Sequence, residues 1–114
     1  MTAPVKRPDT KRQAILRRVE RWSRRLNVQP KLVRVQCMTR KWGSCSTSGT
    51  ITLASDLGNQ PPGFQDFVIA HELLHLRVPN HGKLFKALLA AQVPDWREHD
   101  LRKRKVKGQN ISQG

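Results

Sequence analysis

Residues 64–81 read FQDFVIAHELLHLRVPNH, and this stretch governs how the middle of the chain folds. Apolar residues from Phe64 to Leu74 recur at the spacing of a helix with a buried side, which predicts a helix over about residues 63–76. Pro79 and Asn80 are expected to stop it, because proline clashes with the preceding helical turn and has no backbone N–H. The sequence therefore predicts a buried helix and, directly after it, a sharp change of chain direction.

The predicted helix carries His71, Glu72 and His75 in an H-E-x-x-H pattern. Residues four apart lie on one helix face, so the two imidazoles can bind one zinc ion at about 2.0–2.1 Å. Glu72 lies beside that face and can accept a proton from a metal-bound water without being a ligand itself. The same pattern also occurs by chance in helices whose histidines are ordinary core or surface residues.

His81 is a candidate for the third ligand, ten residues after His71. The break at Pro79 and Asn80 lets the chain fold back toward the metal, which a continuing helix would not allow. Three protein ligands with one open position for water are typical of catalytic zinc. Glu98, on the last predicted helix, is the alternative third ligand, and we favour His81 because a short loop constrains its position better.

The flanking segments predict one helix and a β region before this stretch, and two helices after it. The first helix follows the capping residues Asp9 and Thr10, and its apolar stripe consists of Ile15, Val19, Trp22 and Leu26. Residues 32–37 alternate as in a strand, and the β region continues from Met38 to Cys45. Residues 50–53 resume a strand after a turn at residues 46–49, so we expect an antiparallel hairpin. Helices over about residues 82–92 and from Pro94 onward complete the chain. Segregated strands and helices indicate an α+β fold.

The chain is strongly basic, with 22 Lys and Arg against 8 Asp and Glu and a formal net charge of +14. Such a surface can bind DNA or RNA without sequence preference, because contacts to phosphates release counterions. The basic residues include a ridge on the first predicted helix, opposite its apolar stripe. A hydrated surface that only confers solubility is the alternative interpretation.

Length and composition limit the organisation of the protein. A chain of 114 residues has room for one domain, which we expect to be a monomer. Cys37 and Cys45 are too few for a disulfide scaffold and are expected to be reduced. The first ten residues contain no apolar signal-peptide core, and no run of about 18 apolar residues occurs. We therefore expect a cytoplasmic protein with no membrane contact.

Several short motifs follow one another in the chain: Lys41-Trp42-Gly43-Ser44-Cys45, Gly49-Thr50-Ile51-Thr52-Leu53, the H-E-x-x-H helix, Pro79-Asn80-His81 and Pro94-Asp95-Trp96. Their order resembles the YgjP-like metallopeptidase domains, which are relatives of the SprT-like and WLM zincins. The resemblance covers roughly residues 32–101. It implies a small zincin-like fold with one zinc ion, with His71, His75 and His81 as its ligands and Glu72 as the catalytic base.

This resemblance also suggests how the chain is divided. We expect a flexible N-terminus over residues 1–9, a single minimal zincin-like metallopeptidase domain over residues 10–104, and a disordered basic and polar tail over residues 105–114. Residues 102–107 are basic at five of six positions, so fraying is expected to begin there.

Further residues are candidates for contacting the substrate or its transition state: Trp42, Gly43, Ser44, Asn80 and His99. A strand over residues 42–45 beside the zinc helix can pair with an extended peptide. Alternatively, Trp42 fills the core and Gly43 only permits a bend. For Trp42 we favour this structural interpretation. The chain has no tyrosine, so the donor to the transition state is one of Arg77, Asn80 and His99, which the sequence does not rank.

The leading functional hypothesis is hydrolysis of a protein or peptide substrate by a zinc-activated water, with Glu72 as general base. One rival is hydrolysis of a phosphoanhydride such as a nucleoside triphosphate, which a metal and a basic surface also permit. Another rival is a non-catalytic module that binds nucleic acid. The resemblance to SprT-like and WLM proteins implies a combination, a peptidase that acts near nucleic acid.

Overall fold

Four helices and three strands form over residues 10–107, the part of the chain that the computed structural model describes. They are α1 (Lys11–Leu26), β1 (Leu32–Gln36), β2 (Gly43–Cys45), β3 (Thr50–Ala54), α2 (Pro62–Leu74), α3 (Lys83–Gln92) and α4 (Trp96–Lys107), with a 3₁₀ turn, Ser55–Asn59, before α2. The predicted α+β class is confirmed. The predicted flexible N-terminus, residues 1–9, and residues 108–114 of the predicted tail lie outside the described residues.

α1 begins and ends at residues suited to those positions. The Gln13 backbone N–H donates to Thr10 Oγ1 at 3.1 Å, and the Thr10 N–H donates to Gln13 Oε1 at 3.0 Å. This reciprocal capping satisfies two donors at the helix start. Asn27 ends the helix in the left-handed conformation, with φ 54°, which asparagine tolerates better than most residues. The predicted apolar stripe is buried, which confirms which side of α1 faces the core.

The sheet differs from the prediction in one pairing. β2 and β3 form the expected antiparallel hairpin, but β1 pairs with β3 in parallel, so the strand order is β1-β3-β2. A parallel pair needs a connection of about a dozen residues or more, which residues 37–49 provide. Ile51 and Leu53 of β3 point into the core with 0% exposure. β2 is left as an edge strand next to α2.

α2 lies at the centre of the fold. Pro62 occupies its first turn, where the missing N–H would have no helical partner in any case. Residues 67–70 are all fully buried, as expected of a helix that is surrounded by other elements. Asp66 attaches α1, because its Oδ1 accepts hydrogen bonds from Arg18 Nη1 at 2.8 Å and Trp22 Nε1 at 2.9 Å.

α4 continues through Lys107, so the predicted fraying over residues 102–107 is wrong. Lys103 is completely buried, and the Lys107 side chain is only 6% exposed. Lys107 Nζ donates to Met38 O at 2.8 Å and to Asp56 Oδ1 at 2.9 Å, and it lies 3.8 Å from the centroid of a Trp42 ring. These contacts bind the last turn of the helix to the β region.

The core is one cluster in which α2 contacts α1, the sheet, α3 and α4. Trp42 is 1% exposed and packs edge-on against Phe64, with ring centroids 5.2 Å apart. The segment that leads into β2 is therefore joined directly to α2. Within residues 10–107, no helix has both the length and the apolar character needed to cross a membrane.

Candidate metal centre

Three histidines meet where α2 ends. His71 lies in the last turn of α2, His75 caps the helix, and His81 lies in the loop before α3. One ring nitrogen of each lies within 4.8 Å of the others, and the Nε2 atoms of His71 and His81 are 3.1 Å apart. Tetrahedral zinc with bonds of about 2.0–2.1 Å separates its ligand nitrogens by about 3.3 Å. The triad therefore has dimensions close to those of a three-histidine zinc site.

The chain reverses between His75 and His81, as predicted. The backbone N–H groups of Arg77 and Val78 both donate to Leu74 O, at 3.0 and 2.8 Å, and so close the end of α2. Pro79 follows, where the helix cannot continue. Arg77 Nη1 donates to Leu26 O at 3.2 Å and fastens the turn to the end of α1. This turn allows His81 to return to the other two rings.

Phe85 of α3 forms an apolar wall for the triad. Its ring centroid lies 5.3 Å from that of His71, 4.7 Å from that of His75 and 4.9 Å from that of His81. Phe85 is fully buried, so it shields the imidazoles from water on this side. The sequence predicted a helix over about residues 82–92 but did not identify Phe85 as part of the site, although Phe85 follows His81 by four residues.

Two of the imidazoles have lowered pKa values, which favours the neutral form that binds metal. Burial lowers the pKa of His81 to about 4, and the nearby His71 and His75 contribute in the same direction. Burial also lowers the pKa of His75, against the opposing effect of Glu72. His75 Nε2 is buried and has no hydrogen-bond partner among the described residues. A metal ion would supply that partner, so the residues present fit zinc.

Glu72 is fully buried beside the triad. In the tautomer with the proton on Nδ1, His71 donates to Glu72 Oε2 at 2.8 Å, which leaves His71 Nε2 with a lone pair for a metal. The other oxygen, Oε1, has no hydrogen-bond partner in the described part of the chain. Burial alone would raise the pKa of Glu72, but His71 and then Lys103 outweigh burial and hold that pKa below its usual value. Glu72 is therefore a carboxylate whose Oε1 is available to accept a hydrogen bond or a proton.

Gly43 brings β2 against Glu72. A β-carbon at this position would lie 2.9 Å from Glu72 Cγ and 3.2 Å from Leu53 Cδ2. Both distances are shorter than the optimum of about 3.5–4.0 Å for two carbon atoms. The structure thus gives Gly43 a role in close packing, where a bend was predicted. Ser44 follows on the same strand, half-buried and paired with Thr52.

The other candidate contact residues have different environments. The burial of Trp42 agrees with its interpretation as a core residue. Asn80 is exposed, directly before His81. His99 is half-buried: its ring stacks on Phe67 at 5.7 Å between centroids, and its Nε2 lies 2.9 Å from Asp95 Oδ2. Of these three side chains, Asn80 is next to the triad in sequence and open to solvent.

The structure does not bring Glu98 into the metal centre. Glu98 is exposed in the first turn of α4, and the group that could hold a metal ion among residues 10–107 consists of His71, His75 and His81. Sequence reasoning also missed Lys103, whose charge acts on Glu72 from α4. Nothing in the basic run around Lys103 indicated that this one lysine would be buried.

The solved structures that are similar to this chain include two crystal structures of metallopeptidase zymogens. The metallopeptidase zymogen abylysin of Pyrococcus abyssi gives a TM-score of 0.72 at 22% identity, covering 84% of this chain and 97% of that chain. The metallopeptidase zymogen jannalysin of Methanocaldococcus jannaschii gives 0.66 at 23% identity, covering 84% and 94%. At these identities the likeness shows a shared fold. No curated protein shows significant similarity to the sequence.

A sequence match identifies the family of this chain, which structural likeness at these identities does not. The sequence model of the YgjP-like metallopeptidase domain matches residues 8–104, a longer region than the motifs alone suggested and one that includes α1. Since this match spans almost all of the described structure and every residue of the histidine triad, the chain belongs to the YgjP-like metallopeptidase domain family.

Proposed function

We propose that this metallopeptidase hydrolyses peptide bonds with one zinc ion held by His71, His75 and His81, and with Glu72 as general base. The proposal is carried by the convergence of three imidazoles within 4.8 Å beside a buried carboxylate. Zinc bound there would polarise the scissile carbonyl and lower the pKa of the attacking water. Three protein ligands are the number typical of catalytic zinc.

Glu72 would move the proton. Its Oε1 accepts a proton from the attacking water and returns it to the leaving amine, while Oε2 stays bound to His71 Nδ1. Gly43 and Leu53 pack close by, so the carboxylate has little room to turn. This restricted carboxylate suits a base that must meet the water in one geometry.

The substrate backbone would pair with β2. Among residues 10–107 this strand has β3 on one side only, and Gly43 packs it against Glu72. An extended peptide at the free edge would form main-chain hydrogen bonds and lie beside the triad. Ser44 is on that strand, whereas buried Trp42 supports it from within the core. Asn80 and His99 stay candidates for contacting the transition state.

Matched substitutions test the proposal. Glu72→Gln should retain zinc by elemental analysis and lose about 100-fold or more in peptide cleavage, the usual range for general-base catalysis. His75→Ala and His81→Ala should lose zinc. Glu98→Gln, at the alternative ligand, should retain both zinc and activity. A Glu72→Gln variant that cleaves peptide at the wild-type rate would contradict the role of Glu72.

The same preparations separate peptide hydrolysis from the phosphoanhydride alternative. Purified protein is assayed with casein and with nucleoside triphosphates in parallel, and we expect turnover of casein. Release of phosphate without peptide cleavage would replace the proposed reaction with nucleotide hydrolysis. Turnover of neither substrate by zinc-loaded protein would favour a non-catalytic module.

We further propose that the outer face of α1 binds nucleic acid, which would bring the peptidase near DNA- or RNA-bound proteins. Arg17, Arg21 and Arg24 are exposed there, and the helix carries one acidic residue, Glu20, which pairs with Arg24. Sixteen residues extend this basic face over about 24 Å. Binding in a mobility-shift assay should weaken steeply with salt, and Arg17→Gln with Arg21→Gln should weaken it further. No binding even at low salt would refute this part.

A further inference from the structure

Lys103 is buried although it belongs to the basic run of α4. Its relative exposure is 0%, and its Nζ has no hydrogen-bond partner among residues 10–107. Exposed lysines of the same helix, such as Lys105, keep their ammonium groups in water. An unpaired ammonium in a protein interior is costly, so an opposite charge nearby is expected to balance it.

An aromatic ring lies near Lys103, and the charges of two carboxylates act on it. Its Nζ lies 5.8 Å from the ring centroid of Phe67, one turn before His71 on α2. Burial lowers the pKa of Lys103 and repulsion from Lys41 adds to this effect, whereas Glu72 and then Asp100 counteract it. Lys103 therefore interacts with negative charges on two elements, α2 and α4.

Both carboxylates have a buried oxygen without a hydrogen-bond partner in the described chain, Glu72 Oε1 and Asp100 Oδ1. The second oxygen of Asp100 is held by Arg104 Nη2 at 2.9 Å, so Asp100 already has a cation. The second oxygen of Glu72 is held by the imidazole of His71. Lys103 is thus the lysine whose charge acts on a fully buried Glu72.

We infer that Lys103 is a positioning residue, whose buried ammonium balances the charge of the Glu72 carboxylate across the interface between α2 and α4. The catalytic part of this inference rests on the proposed function of Glu72, and the electrostatic part does not. Removing one member of a buried charge pair leaves the other unbalanced, whereas removing both does not. The pairing of Lys103 with Glu72 therefore makes a prediction about stability as well as about rate.

A double-mutant cycle on EDTA-treated protein tests the pairing. Lys103→Met keeps the length of the side chain without its charge, and in the wild-type background it should lower Tm. In the Glu72→Gln background the same change should lower Tm less, or raise it, because no buried carboxylate is left unbalanced. If packing were the only role of Lys103, the two Tm shifts would be equal, and that result would overturn the inference.

Activity of the zinc-loaded protein tests the positioning role. Lys103→Met should lower kcat by about 10- to 100-fold, as small misplacements of catalytic groups do, with KM and zinc content unchanged. Lys105→Met, at an exposed position on the same helix, should change none of these. Should Lys103→Met fail to fold, Lys103→Gln replaces it in the same cycle. Unchanged kcat would refute the positioning role.

The two experiments also keep the inference apart from the proposed function. If wild-type protein cleaves no peptide, the proposed function fails, and the Tm cycle still reports on the pairing of Lys103 with Glu72. If the cycle is additive, the inference fails even when peptide cleavage is established.

Discussion

Gly43→Ala changes the closest approach between the sheet and Glu72. The added β-carbon would lie 2.9 Å from Glu72 Cγ, 3.2 Å from Leu53 Cδ2 and 3.3 Å from Thr52 O. Glu72 and Leu53 have 0% exposure, so neither can move into solvent, and the Thr52 oxygen belongs to the backbone of β3. Relief of the overlap therefore requires β2 or the Glu72 side chain to shift.

The size of the effect follows from this confinement. Overpacking of a filled interior costs about 1–3 kcal/mol of unfolding free energy. For a domain of about 100 residues, each kcal/mol corresponds to about 4–8 °C in Tm. Because the new methyl group meets Glu72 and not the histidines, we expect kcat to fall while zinc content stays at the wild-type level.

Thermal unfolding of EDTA-treated protein, zinc analysis and peptide cleavage measure these three quantities. Gly82→Ala is the matched control, because a β-carbon at Gly82 meets nothing within 4 Å. If Gly43→Ala and Gly82→Ala gave the same Tm and the same kcat, the close approach of β2 to Glu72 would not exist as described.

Three further predictions concern the surroundings of the site. Lys107→Met should lower the free energy of unfolding, measured in urea, by about 1.5–3 kcal/mol, because the ammonium donates to backbone and carboxylate oxygens. Lys105→Met should stay within about 0.5 kcal/mol of wild type. Equal losses of stability in the two variants would show that the Lys107 contacts do not stabilise α4. The pKa of His81 falls from 6.5 to about 4 on folding, so the unfolded chain binds more protons between these values. The metal-free protein should therefore keep its stability above about pH 6.5 and lose it progressively down to about pH 4; His81→Asn should flatten this curve, and a rise in stability on acidification would contradict the lowered pKa. Asp66→Asn should cost about 1 kcal/mol, after allowance for partial exposure, since Asp66 joins α1 to α2; an unchanged Tm would show that this link adds nothing.

The features that could be predicted from the sequence depend on neighbours close along the chain. The spacing of Ile15, Val19, Trp22 and Leu26 predicted the buried side of α1, and a single turn joins the strands of the β2–β3 hairpin. The approach of His81 to His71 followed in the same way, because Pro79 leaves the chain few ways to continue. Each of these depends on about a dozen consecutive residues of chain.

The features that the sequence did not reveal depend on partners far along the chain. Alternation in residues 32–37 shows that β1 is a strand, but not that it pairs in parallel with β3. The basic run of α4 is typical of a solvated tail, yet Lys107 pairs with Asp56, and Lys103 is completely buried. Such long-range charge partners cannot be assigned from local composition.

The three histidines of the triad lie within residues 71–81, on the end of one helix and the turn that follows it. Glu72, in contrast, packs against Gly43 of the sheet, and its proposed positioning residue, Lys103, lies on the C-terminal helix. Zinc binding and catalytic activity should therefore be lost independently of each other. Damage to the sheet or to α4 would leave a protein that binds its metal but does not cleave its substrate. In this fold, metal content alone is a poor measure of the fraction of active enzyme.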